Sequence, residues 1–406
     1  MELESSARLT GARFGEAHRA LAEAIDGYLH GLGDKRDRYF REATEQHHFP
    51  GELFDAMAKL GVFGALIPEE YGGSGLGLLG MVIALERFSA VGLTNTMALL
   101  MTMDAMVIQR GGTEAQRAQW LPSIADGAMR LAFAITEPDS GTNSFRMKLR
   151  ATPQADGTFR LNGEKAWITG VDRASHVLVV ARTTTYEETR AKGLPPSFGL
   201  SLFLMPTDSP GLSRSEMSTV GVEGFRQFHL RFDDVVLDPD LLIGEVDRGA
   251  ELLFVALNPE RISAAAIAVG MVDYFVTRAA RYAKERIVFG ERPIGAYQAV
   301  AHPLARIRAS QEAARLLVYE AASAFDEGAP SSQVGTLANM AKYLSSELAF
   351  EAADRAIQTH GGNGFVTDFG LIQLLAAARL QKTAPINNEM ILNFVAEHEL
   401  GLPRSY

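Results

Sequence analysis

Residues 146–163 read RMKLRATPQADGTFRLNG and mark the change in sequence pattern that decides the fold. Short runs here are β-rich or alternate between apolar and polar residues, as half-buried strands do. The Asp-Gly pair at 156–157 and the Asn-Gly pair at 162–163 are typical of tight turns. RTTTYEETRAKGLPPS (182–197) is expected to be an exposed loop between strands. We predict a small antiparallel β domain over residues 131–244.

Helical periodicity flanks this β domain on both sides. HRALAEAIDGYLHGL (18–32) places apolar residues three or four positions apart, and AAAIAVGMVDYFVTRAARYAKER (264–286) begins a second helical region. This order argues against a doubly wound nucleotide-binding fold, in which strands and helices alternate. We predict an α+β, mostly α chain with domains at residues 1–130, 131–244 and 245–406.

The composition excludes several classes of function. The 49 acidic and 39 basic residues give a net charge of -10, which disfavours nucleic acid or an anionic membrane as the main partner. The lack of cysteine excludes disulfides, iron–sulfur clusters and thiolate zinc sites, and the nine histidines show no helical metal-site spacing, so we expect no metal. We expect no leader segment, no apolar run near the ~18 residues of a membrane span, and a cytoplasmic protein.

One glycine-rich segment has the residue spacing of a dinucleotide-binding motif. Gly75, Gly77 and Gly80 have the spacing G-x-G-x-x-G, but they follow PEEYGGS rather than a strand. The sequence therefore predicts a tight loop here and not a phosphate site. The chain also has no G-x-S-x-G motif that would indicate a serine hydrolase.

Four polar, glycine-rich stretches contain residues that secondary-structure propensity disfavours, at places where packing alone would not require them. They are FAITEPDSGTNS (133–144), EKAWITG (164–170), YAKERIVFGERPIGAYQ (282–298) and QTHGGNGF (358–365). With PEEYGG and GTEAQRAQWLPSIADG, their order and spacing resemble the acyl-CoA dehydrogenase family over nearly the whole chain. The resemblance implies a helical N-terminal domain, a central β-barrel-like domain and a C-terminal four-helix bundle that hold FAD non-covalently. It also implies a homotetramer built as a dimer of dimers.

The resemblance assigns five residues to the flavin ring. Phe133, Ile135 and Thr136 are expected to line it, where backbone and hydroxyl donors stabilise negative charge on the reduced ring. Trp167 and Thr169 are expected to cover the other side, near N5. Taken singly, Phe133 and Trp167 are typical core aromatics, but the joint spacing favours the cofactor.

A second set of residues matches family positions that reach the adenosine diphosphate part of FAD in a neighbouring subunit. Arginine offers paired donors to pyrophosphate, and glycines let backbone N–H groups approach phosphate. The set comprises Arg286, Phe289, Gln298, Gln358, Gly361 and Gly362. Arg286 alone is also typical of a solvated cation at a helix end. Asn387 stands where the family usually has a threonine that contacts FAD locally.

The usual catalytic base of the family is missing. That glutamate lies in a C-terminal YEGT segment, and the corresponding run ARLQKTAPINNEMI places Pro385 there. A subset of the family, including the isovaleryl-CoA and long-chain enzymes, carries the glutamate on a helix immediately before an arginine, as in NPERISAAA (258–266). The resemblance therefore implies Glu260 as the base, with Glu389 and Asp368 as reserve candidates.

Local rules allow a second interpretation of Glu260. Asn258 is a good N-cap and Pro259 suits the first helical position, so Glu260 would merely mark a helix start. The apolar run before Asn258 can instead begin the helix earlier and leave Glu260 inside it. By resemblance, Arg261 is expected near the nucleotide end of CoA and Thr142 near the pantetheine, and the alternative for Arg261 is a helix-surface ion pair.

The sequence thus predicts an FAD-dependent acyl-CoA dehydrogenase. Glu260 takes the α-proton, the β-hydride goes to flavin N5, and an electron-transferring flavoprotein accepts the electrons. Three alternatives stay open: an acyl group on a carrier protein, flavin oxidase or monooxygenase chemistry, and a non-catalytic partner subunit. The acyl chain is not identified, because pocket depth depends on contacts between helices.

Overall fold

The fold is that of a computed structural model, which describes residues 11, 13–221 and 224–404. Residues 1–10, where the sequence predicts no leader segment, lie outside these ranges. Six α-helices form the N-terminal part within the described residues. They are α1 (Glu16–His30), α2 (Asp34–Glu45), α3 (Gly51–Lys59), α4 (Gly77–Ala90), α5 (Thr96–Gly111) and α6 (Glu114–Ala125).

Helices α4 and α5 are apolar on nearly every face, as buried helices are. Asn95 caps α5, because its side chain accepts a hydrogen bond from the Ala98 N–H. At the start of α4, the Asp326 carboxylate accepts hydrogen bonds from the Leu78 and Leu79 N–H groups at 2.7 and 2.9 Å. The Asp326 carboxylate therefore occupies the N-terminal end of α4, where a phosphate would otherwise bind. This confirms the prediction that the glycine segment is a tight loop and not a phosphate site.

Within the described ranges, eight strands form one sheet in the order β6-β7-β3-β2-β4-β5-β8, with β1 paired to β4. They are β1 (Leu131–Ala134), β2 (Arg150–Pro153), β3 (Phe159–Thr169), β4 (His176–Arg182), β5 (Leu200–Pro206), β6 (Leu212–Met217), β7 (Gln227–Leu237) and β8 (Leu242–Ile243). Most neighbours are antiparallel, as predicted, but β1 and β2 each pair with β4 in parallel. Parallel neighbours need a long connection, so no turn signal predicts them.

The Asn-Gly pair at 162–163 is not a turn, and that prediction is wrong. The pair lies inside β3, where the register against β7 shifts. Asn162 Oδ1 accepts a hydrogen bond from the Asp234 N–H at 2.8 Å, and Gly163 has a φ of 133° against the backbone of Leu149. This is a β-bulge that needs glycine, because a side chain at this φ would be strained and would press on Leu149.

The segment 182–197, predicted as an exposed loop, contains a short helix, α7 (Tyr186–Ala191). A capping box begins it: Thr185 Oγ1 accepts a hydrogen bond from the Glu188 N–H, and the Glu188 carboxylate accepts one from the Thr185 N–H. The prediction is therefore wrong at this point, although Thr-x-x-Glu is a sequence signal for such a start.

Three long helices dominate the C-terminal part. They are α8 (Gly249–Glu285), α9 (Gln298–Asp326) and α10 (Ser331–His360), followed by the shorter α11 (Ile372–Leu380) and α12 (Asn388–His398). Helix α8 packs against α9 and α10 and also against α4 and α5. It is long and apolar enough to cross a membrane, which contradicts the expectation of no such run, but 61% of its most apolar window is buried inside the protein.

A buried ion network joins α4, α8 and α9. Arg315 on α9 donates hydrogen bonds to Glu86 on α4 and to Asp273 on α8, both at 2.6 Å. The three side chains are at most 5% exposed, and Tyr319 also donates to Glu86 at 2.5 Å. The guanidinium thus fixes the N-terminal helices against the helix that carries Glu260.

Replacing Arg315 with methionine would leave the buried Glu86 carboxylate without its counter-ion. We expect the free energy of unfolding to fall by about 3–5 kcal/mol, as for other broken buried ion pairs. The exposed pair of Arg306 and Glu351 is the control, because Arg306→Met should cost less than ~1 kcal/mol. Urea denaturation followed by circular dichroism measures both, and equal losses would contradict the role of the network.

Candidate active site

The stretch NPERISAAA lies inside α8, which begins nine residues before Asn258, at Gly249. Asn258 is not the helix cap: its Nδ2 donates to the Ser331 carbonyl of α10 at 3.4 Å, and its Oδ1 accepts from Arg261 at 3.1 Å. The interpretation of Glu260 as a mark of the helix start is therefore wrong. A rigid helix interior holds this carboxylate instead.

Protein surrounds the Glu260 carboxyl group, although part of the residue remains accessible to solvent. Burial disfavours the charged form and raises the pKa of Glu260 to about 7, while the Arg261 cation opposes the shift. A carboxylate with this pKa is partly ionised at neutral pH and is a stronger base than an ordinary glutamate. The geometry therefore suits proton abstraction.

Arg261 does not form the surface ion pair that was its alternative role. Burial lowers its pKa, opposed by Glu260, and its guanidinium donates to Asn258. Within the described ranges, no carboxylate oxygen lies within 4 Å of its nitrogens. Most of its donors are thus available to a ligand, which is compatible with the predicted contact to CoA.

The structure brings the predicted flavin residues together along β1 and β3. The Thr136 carbonyl accepts a hydrogen bond from the Ala166 N–H at 2.9 Å, which places the segment after β1 beside Trp167. Trp167 is 57% exposed with a φ of 62°, so it is not a core aromatic, whereas Phe133 is buried. Thr169 donates a hydrogen bond from Oγ1 to Gln227 at 3.0 Å.

Lys165 holds the segment after β1 in place, a role that was not predicted from the sequence. Its fully buried ammonium donates to the Ile135 carbonyl at 2.7 Å and to Glu137 at 3.0 Å. Burial lowers the pKa of Lys165 to about 8, opposed by Glu137. Glu137 in turn accepts hydrogen bonds from the N–H groups of Lys148 and Leu149. The signal was present in EKAWITG and TEPDSG, which place a cation and an anion in neighbouring motifs.

A ring contact connects this flavin segment with α8. Phe145 packs against Phe254 at a centroid distance of 6.0 Å, and Phe254 lies less than two turns before Glu260. The predicted base and the predicted flavin residues therefore lie on elements that are packed against each other.

The C-terminal segment that carries Pro385 is held beside Thr142. Asn387 donates a hydrogen bond from Nδ2 to Thr142 Oγ1 at 3.3 Å and caps α12 through Oδ1. Buried Lys342 donates to the Ile386 carbonyl at 2.6 Å. Asn387 thus has protein partners on both sides of its amide, whatever it contributes to FAD binding.

The two reserve candidates for the base lie in other surroundings. Glu389 is exposed in the first turn of α12, where its charge acts on Lys342. Asp368 lines a cavity of about 510 Å³ near the end of α8, together with Arg278 and Tyr282. Neither has the desolvated surroundings of Glu260.

The predicted adenosine diphosphate set gathers at the far end of the bundle. Asn363, in the 3₁₀ helix Gly361–Phe365, donates to the Tyr282 hydroxyl at 3.1 Å and so joins this turn to the end of α8. Arg286, at the end of α8, lies about 39 Å from Glu260 along the helix axis, at ~1.5 Å per residue. All six residues of this set are exposed: Arg286, Phe289, Gln298, Gln358, Gly361 and Gly362.

Comparison with known proteins identifies the family. Models of the acyl-CoA dehydrogenase N-terminal, middle and C-terminal domains match residues 16–128, 132–235 and 247–400. The chain is 40% identical to acyl-CoA dehydrogenase FadE12 of Mycobacterium tuberculosis, over 96% of this chain and 98% of that protein. It is 32% identical to subunit CarC of the caffeyl-CoA reductase–Etf complex of Acetobacterium woodii, over 84% and 87%.

A solved structure gives the same result. Butyryl-CoA dehydrogenase from Megasphaera elsdenii matches with a TM-score of 0.85 and 27% identity, over 96% of this chain and 100% of that one. The fold and the three matched domains define a flavin-dependent oxidoreductase. The chain belongs to the acyl-CoA dehydrogenase family.

FAD is the cofactor of this family, and the residues present fit it. Trp167 and Phe289 expose aromatic rings, and Phe289 is fully exposed. Arg286 is exposed and has no ion pair within the part of the chain that the structure describes, and a side chain at either glycine of 361–362 would meet no atom within 4 Å. Open aromatic faces, a guanidinium and bare backbone suit a flavin ring and a pyrophosphate.

Replacing Lys165 with methionine would leave Glu137 buried without its cation and the Ile135 carbonyl without a donor. We expect the free energy of unfolding to fall by about 3–5 kcal/mol and FAD affinity to fall roughly tenfold, or ~1.4 kcal/mol. Flavin fluorescence titration of the folded protein measures the second effect. Lys148→Met is the control, because its pair with Asp139 is 76% exposed. Unchanged FAD affinity in the Lys165 variant would argue against this support of the flavin segment.

Proposed function

We propose that this enzyme catalyses the α,β-dehydrogenation of an acyl-CoA thioester with Glu260 as the base. The observation that carries the proposal is a desolvated glutamate with a pKa of about 7 on α8, in a chain with Pro385 at the other base position of the family. Glu260 is followed by Arg261, as in the subset of the family with a helical base. The packing of α8 on the flavin segment supports the same assignment.

The chemistry requires the departure of two hydrogens from adjacent carbons. The Glu260 carboxylate takes the α-proton, and the electron pair of that C–H bond becomes the second bond between Cα and Cβ. FAD, when bound, supplies the acceptor for the hydride that leaves Cβ. Desolvation favours this proton transfer, because it makes the carboxylate a better base.

The remaining site residues orient the thioester. Arg261 offers donors toward the phosphates of CoA, and Thr142 offers a hydroxyl toward the pantetheine. The hydrogen bond from Asn387 to Thr142 holds that hydroxyl in place. Positioning of this kind lowers the barrier by removing the orientational freedom of the substrate before the reaction.

The proposal also covers the electron acceptor and the oligomeric state. The CarC relative is a subunit of an Etf complex, which supports an electron-transferring flavoprotein as the acceptor. Arg286 lies about 39 Å along α8 from Glu260, which favours cofactor sites shared between subunits of a homotetramer. A chain without cysteine is compatible with the reducing cytoplasm.

Replacing Glu260 with glutamine removes the proton acceptor but keeps the shape of the side chain. We expect the FAD-loaded variant to keep its cofactor and to lose about 10²- to 10⁴-fold in the rate of flavin reduction. Anaerobic mixing with a panel of acyl-CoA thioesters, followed by flavin absorbance, measures the rate. Glu389→Gln is the control and should react at the parent rate. A Glu260 variant as fast as the parent would refute the assignment.

The rate of flavin reduction should depend on the ionisation of Glu260. Burial raises the pKa of this base to about 7, so the reactive, ionised form is lost as the pH falls below that value. We expect the rate to fall about tenfold per pH unit below the midpoint and to rise through pH ~7. Stopped-flow measurements with saturating acyl-CoA test this, and a rate independent of pH in this range would contradict it.

A further inference from the structure

Helix α5 contains a carboxyl group that the mechanism above does not use. Asp104 is completely buried in the middle of this helix, between Met103 and Ala105. Neither of its carboxyl oxygens has a hydrogen-bond partner among the described residues. An unsatisfied buried polar group costs about 1–3 kcal/mol, and more when it is charged, so its presence calls for an explanation.

Helix packing places Asp104 opposite Glu260. Gly111, near the end of α5, lies so close to Leu252 of α8 that an added Cβ would collide with the leucine side chain. Asp104 precedes Gly111 by two helical turns, and Glu260 follows Leu252 by a little more than two. In an antiparallel pair of helices these steps lead to the same level. The approach of Gly111 to Leu252 and the action of the Glu260 charge on Asp104 both fit this arrangement.

We propose that Asp104 is a positioning residue that remains protonated beside Glu260, so that the pair carries a single negative charge and that charge resides on the base. This inference rests on the function proposed for Glu260. It assigns a role to a buried acid that does not itself touch the reacting atoms.

Burial and charge act in the same direction on this acid. Burial raises the pKa of Asp104 well above its ordinary range, and the charge of Glu260 raises it further. Glu260 has Arg261 next to it as a cation, and Arg261 also acts on Lys342 of α10. Two carboxylic acids in one dry site lose their protons in separate steps, so the proton stays on Asp104 when Glu260 loses its own.

The single charge matters during the reaction. Removal of the α-proton neutralises Glu260 and moves negative charge onto the thioester carbonyl. An ionised Asp104 would repel this developing charge, whereas the protonated acid does not. The rate should therefore rise through pH ~7 as Glu260 ionises and fall at higher pH as Asp104 ionises, by roughly tenfold per pH unit beyond the second midpoint.

Asp104→Asn keeps the size of the side chain and cannot ionise. In the FAD-loaded variant we expect the rising limb to stay near pH 7 and the falling limb to disappear. Thr102→Val is the control, because Thr102 is a buried polar residue of the same helix whose hydroxyl is already bonded to the Ala98 carbonyl. This control should keep both limbs. A falling limb that persists in Asp104→Asn would overturn the proposal.

Two measurements on the resting protein are independent of turnover. Infrared titration should show a protonated carboxyl band in the parent at a pH where Glu260 is ionised, and no such band in Asp104→Asn. A parent without this band would overturn the proposal. Burial raises the pKa of Asp104 in the folded protein above its unfolded value of ~3.9, so the stability it contributes is complete below that pH and is lost as the pH rises. The unfolding temperature of Asp104→Asn should therefore increase relative to the parent as the pH rises above ~3.9.

The outcomes separate the two proposals. If Glu260→Gln reduces flavin at the parent rate, the proposed function fails, whatever Asp104 does. If Glu260→Gln is slow but the falling limb survives in Asp104→Asn, the role of Asp104 fails and the function stands.

Discussion

The burial of α8 between the N-terminal helices and the bundle is the constraint on which the rest of the structure depends. Its backbone approaches α4 so closely at Gly270 that a side chain there would collide with the Glu86 carbonyl. Residues 263–268 of α8 are all buried, and five of these six are Ser or Ala. The same burial desolvates Glu260. The helix that forms the core therefore also raises the pKa of Glu260.

The buried carboxyl groups divide into two kinds. Glu86 and Glu137 each have a cation and further hydrogen bonds, and these contacts offset the free-energy cost of burying a charge. Asp104 has no such cation, Glu260 has only the charge of the neighbouring Arg261, and burial raises the pKa of both carboxyl groups. Sites that break the rule of satisfied burial are where function is expected. Here they occur together, on two helices that face each other.

The sequence predicts most of the fold because its signals are local. Helical periodicity and the Asp-Gly turn depend on neighbouring residues, and so does the continuity of α8 through Pro259. The bulge at Gly163 and the parallel pairing of β1 with β4 depend on contacts distant in sequence, and they are missed. Family motifs indicate Glu260, but Asp104 carries no such signal. It becomes visible only when the packing of α5 on α8 brings two acids together.

The segment around Pro385 lacks the glutamate usual in the family, but it still contacts Thr142. Lys342 donates to the Ile386 carbonyl and Asn387 donates to Thr142, and neither contact needs a glutamate at position 385. A proton acceptor must reach the α-carbon, but its backbone origin is not constrained by the reaction. A helix interior holds a side chain more firmly than a loop does. A base on α8, as proposed, would therefore leave the contacts of the segment around Pro385 unchanged.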